Sequence, residues 1–217
     1  MGEVNVAEVA SRAFKGMGED YENIIGFCYP TYGSNGYDES NQTHCFVTNF
    51  LRLVNEGRDT GDCRKSAFAW FEAPLKGGGR IDAVILDYEN SYMLLIEAKR
   101  IYGNAAQKKE GELINQIIRV TSESVRKDLA ERFDLNYNKE KIRTYMVILA
   151  DYWGKDGIRD WWMGKDADHN IFNELNKHVT WNNNQTLKPI EARRETEGVD
   201  YHLLFGFHDF GEVVFGS

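Results

Sequence analysis

The chain has 217 residues, 42% of them hydrophobic and 28% charged, with a formal net charge of −8. That length and balance suit one globular domain with a full core and exclude a disordered chain. No run of about 18 apolar residues is present, which argues against a membrane-spanning helix and a membrane partner, and the acidic charge weighs against a protein that coats nucleic acid through bulk charge.

The N-terminus, MGEVNVAEVASRAFKG, has no basic region followed by an apolar block, so no secretory signal is expected. Cys28, Cys45 and Cys63 are widely spaced and form no CxxC pair, which argues against a structural zinc site. An odd cysteine count without a signal fits a reducing cytoplasm. There is no internal repeat and no low-complexity tract.

In chain order, residues 4–16 read as a helix with Val6, Val9, Ala10 and Phe14 on one face. Residues 28–40 are rich in turn formers and read as a loop. Ser40 or Asn41 is placed to cap a helix running to about Glu56, in which Phe46, Phe50, Leu53 and Val54 recur at helical spacing. Ser66 to Leu75 reads as a strand and KGGGR as a turn. Arg80 to Tyr88 and Tyr92 to Ile101 read as the two strands of a hairpin turned by Glu89-Asn90-Ser91. One long helix is expected over Ala105 to Arg132, with Leu113, Ile117, Val120, Val125 and Leu129 as its apolar stripe. Ile142 to Ala150 reads as a fully buried strand, 156–178 as mostly helical, 179–199 as polar and irregular, and Asp200 to Phe210 as a last strand. A hairpin followed by a helical crossover predicts an α/β fold with a mixed sheet and helices on both faces.

The hairpin carries charges where apolar residues are expected. Side chains alternate along a strand, so Arg80, Asp82, Val84 and Leu86 share one face, and Leu95, Glu97, Lys99 and Ile101 share another. If the register brings Asp82 near Glu97, two carboxylates and one ammonium converge at the end of a strand pair. Two carboxylates with water or carbonyl oxygens form a hard-oxygen site suited to Mg²⁺ or Mn²⁺. Such a metal polarises a phosphoryl oxygen and lowers the pKa of bound water, and a neighbouring lysine positions or deprotonates that water or stabilises phosphate charge.

Asp82, fourteen intervening residues and then Glu97-Ala98-Lys99 resembles the core of the PD-(D/E)XK nuclease superfamily. The tripeptide alone carries little information; its setting, at the end of an apolar strand and after a second strand with an embedded aspartate, carries the resemblance. Reading every lysine, it is the only acidic-x-lysine in the chain. The resemblance implies a restriction-endonuclease-like three-layer α/β/α core with a mixed central sheet, over about 40–150 of a single nuclease-like domain 1–217. Residues 1–39 would be an N-terminal helical segment and 151–217 a C-terminal elaboration. It makes Asp82 and Glu97 the ligands of Mg²⁺, with Mn²⁺ a substitute, and Lys99 the catalytic lysine. Ile81 stands where the pattern often has proline. A helix glutamate of the pattern maps to Glu39, with Glu72 a rival, and a helix glutamine maps to Gln116. Lys108 or Lys109 is the alternative contact to phosphate from that helix.

The expected activity is hydrolysis of nucleic acid, DNA by resemblance, with a homodimer as the guess for assembly. The competing readings are a catalytically silent module of the same fold that binds nucleic acid or a protein, and an unrelated protein with a salt-bridge ladder. Lys76, Arg80, Lys99, Arg100, Lys108 and Lys109 line a phosphate groove or form an ordinary surface with Asp87, Glu89 and Glu110 interspersed. Trp153, Trp161, Trp162 and Trp181 read as core sooner than as a base-stacking or dimer surface. His44, His169, His178, His202 and His208 show no zinc spacing.

Overall fold

The computed structural model describes residues 4–28, 39–55, 67–101, 106–137, 139–154, 157–165, 177, 183–187, 190–191 and 200–215. Helix α1 (Val6–Cys28) starts where the Asn5 side chain accepts the Glu8 amide at 3.2 Å, an N-cap. Val6, Ala10, Ala13, Phe14, Met17 and Tyr21 recur every three or four residues and are all buried. The helix runs on past residue 16, where the sequence pattern ended it. A Cβ at Gly16 would lie 2.5 Å from Asn49 Oδ1, so the glycine permits a close approach to helix α2 (Glu39–Asn55). Helix α2 begins at Glu39, which places Ser40 and Asn41 in its first turn and not at its cap. The expected loop at 28–40 lies almost wholly outside the described residues.

Strands β1 (Ala67–Pro74), β2 (Arg80–Asp87) and β3 (Tyr92–Ile101) form an antiparallel meander. Gly77, Gly78 and Gly79 all have φ between 78° and 97°, a run that only glycine adopts without strain, and this closes the β1–β2 turn. At the other hairpin the Asp87 carboxylate accepts the amides of Glu89 and Asn90 at 3.0 and 2.9 Å, closing the turn from its own side chain. A helical crossover then returns the chain to β4 (Lys141–Gly154), parallel to β3. Helix α5 (Gly157–Trp162) and the short strands β5 (Asn183–Thr186) and β6 (Ile190–Glu191) precede β7 (Asp200–Val214). The result is a mixed sheet of order β1-β2-β3-β4-β7-β5, with the two-residue β6 also pairing β7.

Helices cover both faces. Ala83, Ile85, Leu94, Ile96, Val147 and Leu149 pack with α1 and α2. Val84, Leu86, Met93, Leu95, Met146 and Ile148 pack on the opposite side with the crossover helices. Strands β3 and β4 are buried on both sides, which is why they read as unbroken apolar runs.

The crossover is two helices, α3 (Ala106–Thr121) and α4 (Glu123–Arg132), where the sequence predicted one. Ser122 is extended at φ −64°, ψ 120°. The Arg126 guanidinium donates to the carbonyls of Val120 and Thr121, the former at 2.9 Å, and so satisfies the exposed end of α3. Strands β4 and β7 run longer than predicted, to Gly154 and Val214, because each is the other's partner along its length. The polar stretch 179–199, predicted irregular, contributes β5 and β6 to the sheet. Helix within 156–178 is described only as α5; the remainder of that prediction falls mostly outside the described residues. Trp162 is fully buried and donates its indole N–H to the Phe205 carbonyl at 3.0 Å, a core role. Trp161 is half-buried, and the side chains of Trp153 and Trp181 lie outside the described residues.

Candidate active site

The β2–β3 ladder runs from Asp87↔Tyr92 to Ala83↔Ile96. The same count sets Asp82 opposite Glu97, and there the two backbones part. The Ala98 amide, the next donor facing β2, is taken by the Asp82 carboxylate, Oδ2 at 2.7 Å. Asp82 thus replaces a rung of the ladder and is locked in place by it.

Alternation carries Glu97 and Lys99 to the same face of β3. Lys99 Nζ lies 2.9 Å from Glu97 Oε1 and 3.5 Å from Glu39 Oε2. Glu39 Oε1 also accepts the Arg100 amide at 3.0 Å. Glu39 therefore reaches over from the first turn of α2 to grip two successive residues of β3. The trio from the hairpin and the acid from α2 form one cluster, three carboxylates around one ammonium. The Glu97 and Lys99 side chains are 3% and 14% exposed, so this cluster sits in a poorly solvated notch open on the side of Glu39, which is 32% exposed.

Burial, followed by repulsion from Asp82, pushes the Glu97 carboxyl up to about 7, against the pull of Lys99. Burial also raises Asp82, opposed by the Ala98 amide and Lys99. Burial works to lower Lys99, but Glu97, Glu39 and Asp82 outweigh it and hold the ammonium well above its ordinary value.

Glu72 stands at the margin of the cluster, its charge still adding to the rise of the Asp82 carboxyl after burial and Glu39. It lies opposite Asp82 on β1, but its φ of 54° breaks the pairing between Phe71↔Ala83 and Ala73↔Ile81. Its side chain is exposed and lies 3.9 Å from the equally exposed Arg80. Gln116 of α3 donates its side-chain amide to the Arg80 carbonyl. It anchors the start of β2, two residues before Asp82. The side chains of Lys108 and Lys109 lie outside the described residues. His44 stacks on Phe71 at 4.0 Å between ring centroids, on the helix that carries Glu39.

A buried network behind the cluster was not legible in the sequence. Asp151 of β4, fully buried, accepts from Gln42, Arg100 and Tyr201. Burial pushes its carboxyl up to about 6 despite the Arg100 charge and these donors. The only signal was an aspartate directly after the apolar run of β4.

A divalent cation fits the donor set. Among the described residues no three His, Cys, Asp and Glu side chains converge to cage an ion by themselves. Asp82 and Glu97 supply hard oxygens, and Glu97 Oε2 is buried without a hydrogen-bond partner among the described residues. Two carboxylates with the remaining positions left to water or phosphate is the pattern of Mg²⁺, which keeps much of its hydration shell. Among the described residues no helix is long and apolar enough to cross a membrane. No family model, no curated protein and no solved structure matches the chain.

Proposed function

We propose that the chain is a metal-dependent nuclease of PD-(D/E)XK type that hydrolyses phosphodiester bonds in nucleic acid, with DNA the substrate implied by that resemblance. The observation that carries the reading is the convergence of Asp82, Glu97, Lys99 and Glu39 where β2 and β3 part. The mixed α/β sheet with helices on both faces supports a restriction-endonuclease-like core. The meander, the helical crossover and the parallel β4 support the same reading.

Asp82 and Glu97 would hold Mg²⁺, or Mn²⁺ in its place. Bound there, the ion polarises a phosphoryl oxygen and lowers the pKa of a coordinated water. Asp82 is oriented by the Ala98 amide, so its carboxylate meets the ion without reorganising. Glu97 must give up its proton near neutral pH to serve as a ligand. Lys99 is held as an ammonium, which suits it to donate to a phosphate oxygen as charge builds there and makes it a poor base. Glu39 restrains Lys99 on its open side. Water adds to phosphorus and passes a proton to bulk solvent, the bond to the 3′ oxygen breaks, and that oxygen takes up a proton from solvent, leaving a 3′-hydroxyl and, by the resemblance, a 5′-phosphate.

Supercoiled plasmid and single-stranded DNA incubated with the purified chain in Mg²⁺, Mn²⁺ or EDTA test the reading, with Lys99→Ala alongside. Metal-dependent cleavage that falls about 10²–10³-fold in the variant is the expected result. Cleavage that survives the substitution removes Lys99 from the chemistry. Absence of cleavage with every metal shifts weight to a silent binding module, in which the Glu97–Lys99–Glu39 ion pairs close the notch for structural reasons alone.

A further inference from the structure

The buried charge beside the notch takes part in none of the chemistry above. Asp151 Oδ1 accepts from Gln42 Nε2 at 2.7 Å, and its Oδ2 accepts from Arg100 Nε at 3.0 Å and the Tyr201 hydroxyl at 2.8 Å. Arg100 Nη2 lies 3.0 Å from the same Oδ2. One carboxylate thereby ties together α2, β3, β4 and β7. A buried ion pair of this kind is weak evidence for stability, since well-packed apolar residues of similar volume often do as well. Its geometry offers another reason.

Gln42 lies one helical turn after Glu39, on the same side of α2. Arg100 directly follows Lys99, and alternation sends their side chains to opposite faces of β3. A grip on the Arg100 guanidinium therefore holds the strand without touching Lys99. The same two segments are joined a second time by the Glu39 carboxylate, which accepts the Arg100 amide and lies against Lys99 Nζ.

We propose that Asp151 is a positioning residue which, through Gln42 and Arg100, sets the first turn of α2 on the end of β3 and so holds Glu39 against Lys99. What Lys99 is held for rests on the nuclease reading; the coupling itself does not. It predicts that loosening Gln42 frees the Glu39 carboxylate while Asp82 keeps its hold on Ala98.

The test uses Gln42→Met, which keeps the length of the side chain and leaves Arg100 and Tyr201 on Asp151. It also removes Gln42 Oε1, a buried oxygen without a partner among the described residues, so the variant is expected to fold. Asp151→Asn is the second variant. Amide hydrogen exchange read residue by residue in the metal-free full chain is expected to show the Arg100 amide exchanging about tenfold faster and the Ala98 amide unchanged. In the cleavage assay kcat is expected to fall about tenfold with KM for DNA unchanged, while the melting temperature drops by a few degrees because Asp151 loses a buried partner. An Arg100 amide at the wild-type rate in both variants overturns the proposal whether or not the chain cuts DNA. A faster Arg100 amide with kcat intact in an active enzyme overturns the positioning role. A faster Arg100 amide in a chain that cleaves nothing upholds the coupling and counts against the nuclease reading instead.

Discussion

Glu97→Gln is expected to stabilise the metal-free protein at alkaline pH and to do nothing for it in acid. Burial and the neighbouring Asp82 raise the Glu97 carboxyl from 4.5 to about 7. The unfolded chain releases this proton near the lower value and the folded chain near the higher. Between them the folded state binds more protons, so stability falls as pH rises through that window and the loss is complete above it. A tenfold difference in proton affinity is about 1.4 kcal/mol, so the ionised carboxylate costs the fold about 3 kcal/mol at pH 8. Glutamine has the shape of the protonated acid and carries no charge, and its carbonyl can still accept from Lys99. For a chain of this size the gain corresponds to roughly 6–12 °C in melting temperature. Thermal melts of both proteins in EDTA from pH 4 to pH 8 measure it. The difference should grow from near zero to its full value across the window. A variant less stable than wild type at pH 8, or a difference independent of pH, would refute the claim that an unneutralised charge is stored in this notch. The same variant should gain nothing from added Mg²⁺, because the stored charge is what the ion would relieve.

Two further outcomes follow from the geometry. Mg²⁺ at ten times its dissociation constant should stabilise the wild type by about 1.4 kcal/mol, and Asp82→Asn should abolish that response in differential scanning calorimetry. Arg126→Ala should cost about 1–3 kcal/mol in urea unfolding, because it strips the carbonyls at the end of α3 of their donor and removes the guanidinium from over the Phe210 ring, 4.4 Å from its centroid.

Local pattern was enough for the hairpin and for three of the charges it carries. Period-two alternation depends only on strand geometry, and the cost of burying charge makes Asp82, Glu97 and Lys99 conspicuous among Ile, Val and Leu. The sequence also narrowed the fourth charge to Glu39 or Glu72. The choice between them was tertiary: the positive φ at Glu72 turns it out to Arg80, while the packing of α2 carries Glu39 across to Lys99. Gln116 was singled out as a site residue, yet only the placement of α3 over the β1–β2 hairpin shows it holding the Arg80 carbonyl.

The failures have the same cause. Met17 and Tyr21 carry the apolar spacing of α1 past Gly16, but the use of that glycine, room for Asn49 of another helix, shows only in the packing. The break at Ser122 is stabilised by an arginine reaching back to two carbonyls, and an apolar stripe does not register such a bond. Asp151 finds its partners 50, 51 and 109 residues away along the chain. Strand periodicity and charge burial are properties of a short segment, so the sequence determined them. Which groups meet across segments is set when the sheet and its helices pack, and that is where Glu39, Gln116 and Asp151 acquired their places.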